Sequence, residues 1–495
     1  MRSPVPAVPT HLPEIDVASS PRRGTPLVVT TTPAEQGGEP GFGPGRDRLD
    51  AAALGGARVT GKAGEVLPVL GDWLLGLGES EPKDWRGAGA ALVRAVDARA
   101  AADSDAGRPV TRSAQVLLPA GVTAEQAAAL ATGVLLGGYK FKVSNSEQAP
   151  RTKSVRLVAP EGAELAEAVR EAVALATATA LARDFANTPS NVKNPAWLAD
   201  NAARLAAGLT GLTAAVREES WLAEQGFGGV LAVGSGSVSP PRLIELAWRP
   251  RGSAKAPHLV FVGKGITFDT GGISIKPADG MHLMRTDMAG GGAVIAALLA
   301  IAELKLPVRV TGLIASAENH FGAGSYRPGD VVRHYGGTTT EVTNTDAEGR
   351  MVMADALAYA VRKLSPDALV DVATLTGAMK VSLGVRTGGV FASTDELADR
   401  VRAAGAEVGE AWWRMPLLPE VAENVPSEIA DVRQMPGGPG SIAAAQFLRE
   451  FTGDLPWAHL DIAGPARSEK SYDEVVPGAT GFAARTLVRL AANYA

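Results

Sequence analysis

The chain has 495 residues, which exceeds the usual size of a single hydrophobic core, so we expect two domains. Lys and Arg total 48 while Asp and Glu total 53, and the resulting net charge of -5 favours neither nucleic acid nor an anionic membrane as a partner. The absence of cysteine excludes disulfides, thiolate metal ligands and a cysteine nucleophile, and it is consistent with a reducing cytoplasm.

The first third of the chain contains no motif that indicates chemistry. Residues 1–48 are rich in Pro, Gly and charge, so we expect weak order there, and no apolar stretch near the start has the length that a signal peptide requires. Short apolar segments such as VLPVLG then alternate with Ala-rich stretches such as GAALVRAVDARAAA. This pattern predicts a small N-terminal α/β domain over residues 1–160. No uninterrupted apolar segment near 18 residues indicates a membrane span, so we expect a cytoplasmic protein.

The rest of the chain, residues 161–495, predicts a larger α/β domain. It opens with a predicted connecting helix, EGAELAEAVREAVALATATALARDFANTPSN. Strand-like runs follow (GGVLAVGSG, LIELAW, HLVFVG, VRVTGLIAS, ALVDVATL and GGVFAS), alternating with helix-like runs (AGGGAVIAALLAIAEL, MVMADALAYAVRKL and IAAAQFLREF). The alternation predicts a mostly parallel central sheet flanked by helices, with ligands at the carboxyl ends of its strands.

The segment NTDAEGR, residues 344–350, has two interpretations. Thr345 and Glu348 match the T-x-x-E capping box at the start of a helix, and helically spaced apolar residues follow. A cap does not account for Arg350, however. The other interpretation is that Asp346 and Glu348 bind metal.

A glycine-rich stretch upstream, residues 261–294, contains further charged residues at predicted turns. Lys264, Asp269, Lys276 and Asp287 each lie beside glycines or at a turn, where the backbone can approach a ligand closely. Any one of them is also compatible with a solvated surface loop.

Convergence of the four carboxylates in these two segments would require cations between them, because like charges at short range cannot all stay ionised. Two divalent metals about 3.5 to 4 Å apart would meet that need and activate one water. Oxygen ligands suit Mg²⁺ and Mn²⁺ and are accepted by Zn²⁺. No two histidines have H-x-x-x-H spacing, so the sequence does not support a zincin-type site.

These segments resemble the leucyl aminopeptidase family of dinuclear metallopeptidases. NTDAEGR occurs together with VGKGITFDTGG, ISIKP and TDMAGG, and the stretches FANTPSN, SAEN, YRPGDV, VDVATLTGA and WAHLDIAGPA follow the family's order over about residues 180–485. The resemblance implies two divalent ions per subunit, Mn²⁺ or Zn²⁺ with Mg²⁺ as a further option. It also implies peptide substrates and a homohexamer.

The resemblance assigns roles to residues of this chain. The implied metal ligands are Lys264, Asp269, Asp287, Asp346 and Glu348, of which Asp269 and Glu348 bridge the two ions. The implied catalytic residues are Lys276 and Arg350. The implied substrate contacts are Met284, Thr374, Leu375, Gly377 and Ala466, for which ordinary core or loop packing is the alternative. An amine ligates metal only after losing its proton, so Lys264 would need a pKa far below that of free lysine.

The implied reaction removes N-terminal residues, preferentially leucine-like, from peptides and amino-acid amides. In it a metal-bridging hydroxide attacks the scissile carbonyl while Lys276 stabilises the oxyanion. Arg350 would bind bicarbonate, which serves as the general base. An apolar and flexible Met284 suits the side chains of Leu and Met.

Two other functions stay open at this point. A two-metal phosphoesterase would also collect carboxylates around Mg²⁺ or Mn²⁺, but it should present more cationic phosphate clamps than Lys276 and Arg350. A DNA-binding regulator, as a second role, would need a basic surface, and the balanced charge gives no clear basic stripe.

Overall fold

The computed structural model describes residues 8–35, 38–50, 52, 54, 58–144, 148–160 and 162–495. The chain divides into two compact units, Met1–Ala180 with Glu469–Pro477, and Leu181–Ser468 with Gly478–Ala495. The division falls inside helix Ala163–Asn187, in the region where the sequence predicts a connecting helix. The domain boundary between residues 160 and 161 stays a prediction.

The first unit contains a seven-stranded, mostly parallel sheet. Its strands are β1 (Glu14–Ala18), β2 (Leu27–Thr32), β3 (Gly41–Phe42), β4 (Val66–Val69), β5 (Asp72–Gly76), β6 (Ser113–Leu117) and β7 (Ser154–Val158). Their order is β1-β7-β6-β2-β5-β4, with β3 paired to β2. The helices are α1 (Pro82–Asp105), α2 (Ala124–Gly137) and α3 (Ala163–Asn187), the last of which continues into the second unit.

Three of these strands lie in residues 1–48, for which the sequence predicts weak order. The run LVVTTT forms β2 because Val28 and Val29 are fully buried in the sheet and supply apolar area that the surrounding Pro and Gly do not. The part of that prediction that concerns residues 1–7 and 36–37 lies outside the described residues.

The second unit contains the longest strands of the described chain. Its strands are β8 (Leu212–Arg217), β9 (Arg242–Trp248), β10 (His258–Asp269), β11 (Arg309–Asn319), β12 (Val331–Arg333), β13 (Thr339–Glu341), β14 (Ala368–Ala373), β15 (Thr387–Ala392), β16 (Ala411–Arg414), β17 (Val432–Arg433), β18 (Trp457–Asp461), β19 (Arg467–Ser468) and β20 (Gly478–Ala479). Its further helices are α4 (Pro195–Ala206), α5 (Glu219–Gln225), α6 (Gly228–Gly234), α7 (Ala289–Glu303), α8 (Glu348–Tyr359), α9 (Gly377–Leu383), α10 (Asp395–Val408), α11 (Pro419–Ala422), α12 (Gly440–Arg449) and α13 (Ala484–Ala492).

Eight of these strands form the central sheet, in the order β16-β15-β18-β14-β10-β11-β9-β8. The four middle strands, β18, β14, β10 and β11, are mutually parallel, so their carboxyl ends lie at the same edge. Almost every residue of β10 is buried, as expected for a strand covered on both faces. The predicted α/β fold with a mostly parallel sheet is therefore confirmed.

Glycines allow helix α7 to pack directly against the sheet. A Cβ on Gly263 would lie 2.5 Å from the Cα of Gly291, and a Cβ on Gly290 would lie 2.1 Å from the carbonyl oxygen of Val372. Both distances are too short for any side chain. This close approach fixes the start of α7 against the middle of β10 and the end of β14.

One predicted strand is a helix in the structure. The run GGVLAVG forms α6, with Val230 and Val233 buried. A short apolar run does not by itself distinguish a buried strand from a buried helix, and the glycines here resemble strand boundaries.

A stretch of 23 residues, Met281–Glu303, is long and apolar enough to cross a membrane by length and composition alone. Its most apolar part is 89% buried inside the structure. Helix α7, which makes up most of it, packs on β10 and β11 as a core helix.

Candidate metal centre

Three carboxylates meet beyond the carboxyl end of β10. Asp269 is the last residue of that strand, and Asp346 and Glu348 stand just before and at the start of α8. Carboxylate oxygens of these three residues lie within 4.8 Å of one another. The structure thus brings together side chains that are separated by almost 80 residues in sequence.

Lys264 joins the fourth predicted carboxylate to this cluster. Its Nζ lies 2.9 Å from Asp287 Oδ1 and 2.9 Å from Glu348 Oε1, and it donates to the carbonyl oxygen of Thr374 at 3.0 Å. The side chain is 4% exposed. Burial lowers the pKa of Lys264, but the charges of its carboxylate neighbours outweigh burial and the net pKa lies above the ordinary value. Coordination of a metal ion by Lys264 would therefore require loss of the proton that these carboxylates stabilise.

Lys276 bridges the other side of the cluster. Its Nζ lies 2.7 Å from Asp269 Oδ2 and is also paired with Asp346 Oδ1. Burial again opposes the charged amine, and the nearby carboxylates raise its pKa above the ordinary range. The side chain is 19% exposed, so unlike Lys264 it borders open space.

The carboxyl groups of the cluster have too little positive charge around them to offset their burial and mutual repulsion. Burial is the largest cause of the raised pKa values of Asp269, Asp287 and Asp346, and the charges of neighbouring carboxylates raise them further. Among the described residues, the Oδ2 atom of Asp287 is buried without a hydrogen-bond partner. A cation among these oxygens would supply both the missing charge and the missing partner, so the donor set fits divalent metal.

Arg350 lies in the first turn of α8 and is buried. Its Nη1 donates to the carbonyl oxygen of Gln434 at 2.8 Å, while its Nε has no hydrogen-bond partner among the described residues. Burial lowers the pKa of Arg350 to about 10, against the opposing charges of Glu348 and Asp461. The guanidinium stays charged and keeps unused donor capacity.

The capping-box interpretation of NTDAEGR is wrong in its contacts, although a helix does begin there. The residue before α8 is Ala347, and no side chain caps the helix. The hydroxyl of Thr345 instead donates to the carbonyl oxygen of Gly271 and accepts from the Ser274 N–H. Thr345 therefore ties the loop before α8 to the loop after β10.

Gly349 leaves space for Lys264. A Cβ at Gly349 would lie 2.5 Å from Lys264 Cε and 2.8 Å from its Nζ. This steric reason accounts for a glycine in the first turn of α8, where it weakens the helix.

The five predicted substrate contacts lie in different surroundings from one another. Thr374 belongs to the cluster, because its hydroxyl donates to Asp287 Oδ1 at 2.8 Å. Leu375 is half-buried in the same loop, and Met284 is half-buried in the turn before Asp287. Gly377 is exposed at the start of α9, and Ala466 is buried. A role in substrate binding stays a prediction for all five.

Three buried residues that the sequence analysis did not single out hold the loops of the site. Asn319 ends β11 and donates to Asp269 and Thr345. Gln434 accepts from the N–H groups of residues 343 and 344 and donates to the carbonyl oxygen of residue 347. Asp461 ends β18 and accepts from the loop 375–376. Asn319 and Asp461 lie in the motifs SAEN and WAHLDIAGPA, whereas no sequence pattern indicated Gln434.

Comparison with known sequences places the chain in one peptidase family. A profile of the cytosol aminopeptidase family, catalytic domain, matches residues 180–488, which include every residue of the cluster. A probable cytosol aminopeptidase of Roseiflexus castenholzii is 47% identical over 371 residues, covering 73% of this chain and 75% of that protein. One of Streptomyces avermitilis is 42% identical and covers 96% of this chain and 94% of its own length.

Solved structures agree over nearly the whole chain. The bottromycin maturation enzyme BotP in complex with Mn superposes with a TM-score of 0.81 at 38% identity, covering 97% of this chain and 99% of that one. A mutant of tomato leucine aminopeptidase has a TM-score of 0.86 at 30% identity, covering 99% of this chain and 98% of that one. The chain therefore belongs to the cytosol aminopeptidase family and is a metal-dependent aminopeptidase, a hydrolase of peptide bonds.

Proposed function

We propose that this aminopeptidase binds two divalent ions and removes N-terminal residues, preferentially leucine-like, from peptides and amino-acid amides. The observation that carries the proposal is the approach of the Asp269, Asp346 and Glu348 oxygens to within 4.8 Å of one another in a mostly buried site. Like charges at that separation need cations, and a two-ion site is the usual arrangement for hydrolysis by an activated water.

The residues that would hold the ions are Lys264, Asp269, Asp287, Asp346 and Glu348. When bound, two divalent ions supply Lewis-acid polarisation of the scissile carbonyl and lower the pKa of a water. In the structure Lys264 and Lys276 supply positive charge to this cluster, because each contacts two of its carboxylates. Bound ions would neutralise the carboxylates that raise the pKa of Lys264 and would repel its ammonium, so Lys264 would lose its proton.

Lys276 is proposed to stabilise the oxyanion of the tetrahedral intermediate. It is the more exposed of the two lysines and keeps its charge, so its ammonium can turn toward a substrate oxygen when the carboxylates are neutralised. A single donor aimed at an oxyanion typically contributes about 10² to 10³ in kcat.

Arg350 is proposed to bind bicarbonate as the general base. Its guanidinium is fixed by the Gln434 carbonyl oxygen, and its Nε is without a partner among the described residues, which leaves donors for a small planar anion. His459 lies near enough to Arg350 for their charges to interact, but it is fully buried and bonded to Asp371.

The first side chain of the substrate is proposed to bind beside Met284, Thr374, Leu375, Gly377 and Ala466. Thr374 supports this position because its hydroxyl contacts the Asp287 carboxylate and its carbonyl oxygen accepts from Lys264, so a group beside it is also beside the ions. The half-buried Met284 and Leu375 offer an apolar surface that favours leucine-like side chains over charged ones.

We also propose a cytoplasmic homohexamer. The names of the curated relatives support the location. An interface is supported by Trp413, which is 62% exposed on β16, the edge strand of the central sheet. The expected mass by light scattering is about 305 kDa, six times the 50.8 kDa of one chain. A single-chain mass would overturn this part of the proposal.

Metal analysis paired with two substrates tests the proposed function. We expect about two Mn²⁺ per chain after dialysis, hydrolysis of leucine p-nitroanilide, and loss of that hydrolysis on chelation. The lysine and glutamate p-nitroanilides are expected to react more slowly. Hydrolysis of p-nitrophenyl phosphate in place of the anilide would indicate a phosphoesterase, and one or no ion per chain would contradict the two-ion site.

A further inference from the structure

Asn319 is a fully buried amide between two loops of the metal centre. It is the last residue of β11 and has no exposed surface. The register between β10 and β11 shifts after Ile266, and this irregularity places Asp269 directly opposite Asn319. Bulges next to active sites commonly re-aim a side chain, and here the bulge brings a metal-ligand carboxylate to an amide.

The amide nitrogen of Asn319 uses both of its hydrogens within the site. It donates to Asp269 Oδ1 at 2.7 Å and to the carbonyl oxygen of Thr345 at 3.0 Å. Thr345 directly precedes the predicted ligand Asp346. One planar NH₂ group thus spans the loop after β10 and the loop before α8, and it fixes the distance between their acceptors.

The opposite orientation of this amide is excluded by its neighbours. Turning it over would place the Asn319 oxygen against a carboxylate oxygen and a carbonyl oxygen, which have no hydrogen to donate. In the observed orientation Oδ1 has no hydrogen-bond partner among the described residues. A buried polar atom left unpaired is unfavourable for folding, so the two hydrogen bonds that the nitrogen donates are the reason for this orientation.

The contacts of Asp269 are divided between its two oxygens. Oδ1 accepts from Asn319 Nδ2 at 2.7 Å and from the Gly271 N–H at 2.8 Å, which occupies both lone pairs. Oδ2 faces the Lys276 ammonium. Asn319 therefore determines that Oδ2 of Asp269, and not Oδ1, faces the Lys276 ammonium.

We propose that Asn319 is a positioning residue of the metal centre, which orients the Asp269 carboxylate and sets the place of the Thr345–Asp346 backbone relative to it. The proposal rests on the two-ion function proposed above. Partners that orient a ligand typically change metal affinity or activity by about 10- to 100-fold when they are removed.

The test removes the donors while keeping the branching of the side chain. Asn319→Leu has the same number of side-chain heavy atoms and no hydrogen to donate, and Asn201→Leu is the matched control, since Asn201 donates to a carbonyl oxygen within helix α4. Chelator-treated proteins are titrated with MnCl₂ by calorimetry, and the loaded proteins are compared by the electron paramagnetic resonance of the coupled Mn²⁺ pair. We expect Asn319→Leu to weaken Mn²⁺ binding at least tenfold at one site and to alter the coupled spectrum.

Kinetics at saturating Mn²⁺ add a second readout. We expect kcat of Asn319→Leu to fall about 10- to 100-fold with KM within about threefold, because the ligands and not the substrate pocket are displaced. Asn319→Ser keeps one hydroxyl donor in a smaller side chain and should show a smaller loss. It also serves as the deciding variant if Asn319→Leu does not fold.

The outcomes separate this inference from the proposed function. If the wild type binds two Mn²⁺ and the Asn319 variants bind both ions with wild-type affinity and spectrum, the positioning role is overturned while the two-ion site stands. A lowered melting temperature with unchanged Mn²⁺ affinity would likewise make Asn319 merely structural. If the wild type itself binds fewer than two ions, the proposed function fails and this inference fails with it.

Discussion

At the residue scale, the two lysines of the metal centre carry the same charge in different surroundings. The side chain of Lys264 is 4% exposed and enclosed by three acceptors, whereas that of Lys276 is 19% exposed. Lys276 borders open space, so its ammonium is the more accessible to a substrate. The difference predicts that Lys264 acts on the ions and Lys276 on the reacting carbonyl.

Replacing Lys276 tests that division. Lys276→Ala should lower kcat for leucine p-nitroanilide by about 10² to 10³ because the oxyanion loses its cation. Metal content should stay at the wild-type value, since all five predicted ligands remain. Lys255→Ala, at an exposed turn, is the control and should keep the wild-type rate. A wild-type kcat for Lys276→Ala would remove this residue from the mechanism.

A third lysine, Lys193, is fully buried outside the cluster and predicts a pH effect on stability. Its Nζ donates to the carbonyl oxygen of Arg285, and burial lowers its pKa to about 7, aided by the charge of Arg285 and opposed by that of Asp287. The unfolded chain keeps this proton up to a pKa of about 10.4. Between these values the unfolded state binds more protons, so the folded state gains stability as pH rises.

The measurement compares the metal-free wild type with Lys193→Met, which has a similar shape and does not titrate. The free energy of unfolding of the wild type minus that of the variant should be constant below pH 6. From pH 7 to 9 it should rise by up to about 1.4 kcal/mol per pH unit. Urea midpoints at four pH values provide the test. A difference in the free energy of unfolding that does not change with pH would contradict a neutral Lys193 in the folded state.

At the element scale, the site is built from the ends of four parallel strands, and the sequence indicated only part of this. The apolar run HLVFVG predicts the start of β10, but Gly263, Lys264 and Gly265 resemble a turn. The strand continues to Asp269 because β11 pairs along it and β14 beside its first half. Such pairing is a tertiary effect that local composition does not contain.

The loop that follows β14 depends on the end of β18. Asp461 accepts from the N–H groups of Leu375 and Thr376, from the Thr376 hydroxyl and from the Ala463 N–H. This one carboxylate holds the loop whose Thr374 contacts Asp287. The sequence alone could not identify that role, because it depends on strand order and not on spacing.

Removing this anchor should affect substrate binding. Asp461→Ala leaves buried donors unpaired, each of which costs about 1–3 kcal/mol, so the loop 374–376 should loosen. We expect kcat/KM to fall tenfold or more, mainly through KM, with a smaller effect for Asp461→Asn, which keeps one acceptor oxygen. Asp454→Ala, at an exposed position, is the control. An unchanged KM in Asp461→Ala would contradict the anchoring role.

At the scale of the whole molecule, the sequence predicted the class of fold but not the order of the strands in the sheet. Alternating apolar runs gave a mostly parallel α/β unit because strands and helices differ in period. They could not give the order β16-β15-β18-β14-β10-β11-β9-β8, which follows from long-range packing. The neighbouring glycines indicated turns at several charged residues of the centre, and their roles came from the resemblance to a family, whereas Gln434 was not identifiable, since a buried amide leaves no local pattern.

Metal binding should change the thermal stability of one of the two compact units. All of the predicted ligands lie in the second unit, and a ligand that binds only the folded state stabilises it by RT ln(1 + [L]/Kd), about 2.7 kcal/mol at 100 times Kd. Calorimetric scans of chelator-treated protein should therefore show Mn²⁺ raising the melting temperature of the transition that includes the second unit, with a shift that grows with the logarithm of Mn²⁺ concentration. Asp287→Asn should reduce the shift, because it neutralises a carboxylate whose buried Oδ2 has no hydrogen-bond partner among the described residues and would face Mn²⁺. If the wild type and Asp287→Asn shift equally, Mn²⁺ binds elsewhere on the chain and the carboxylate cluster is not its site.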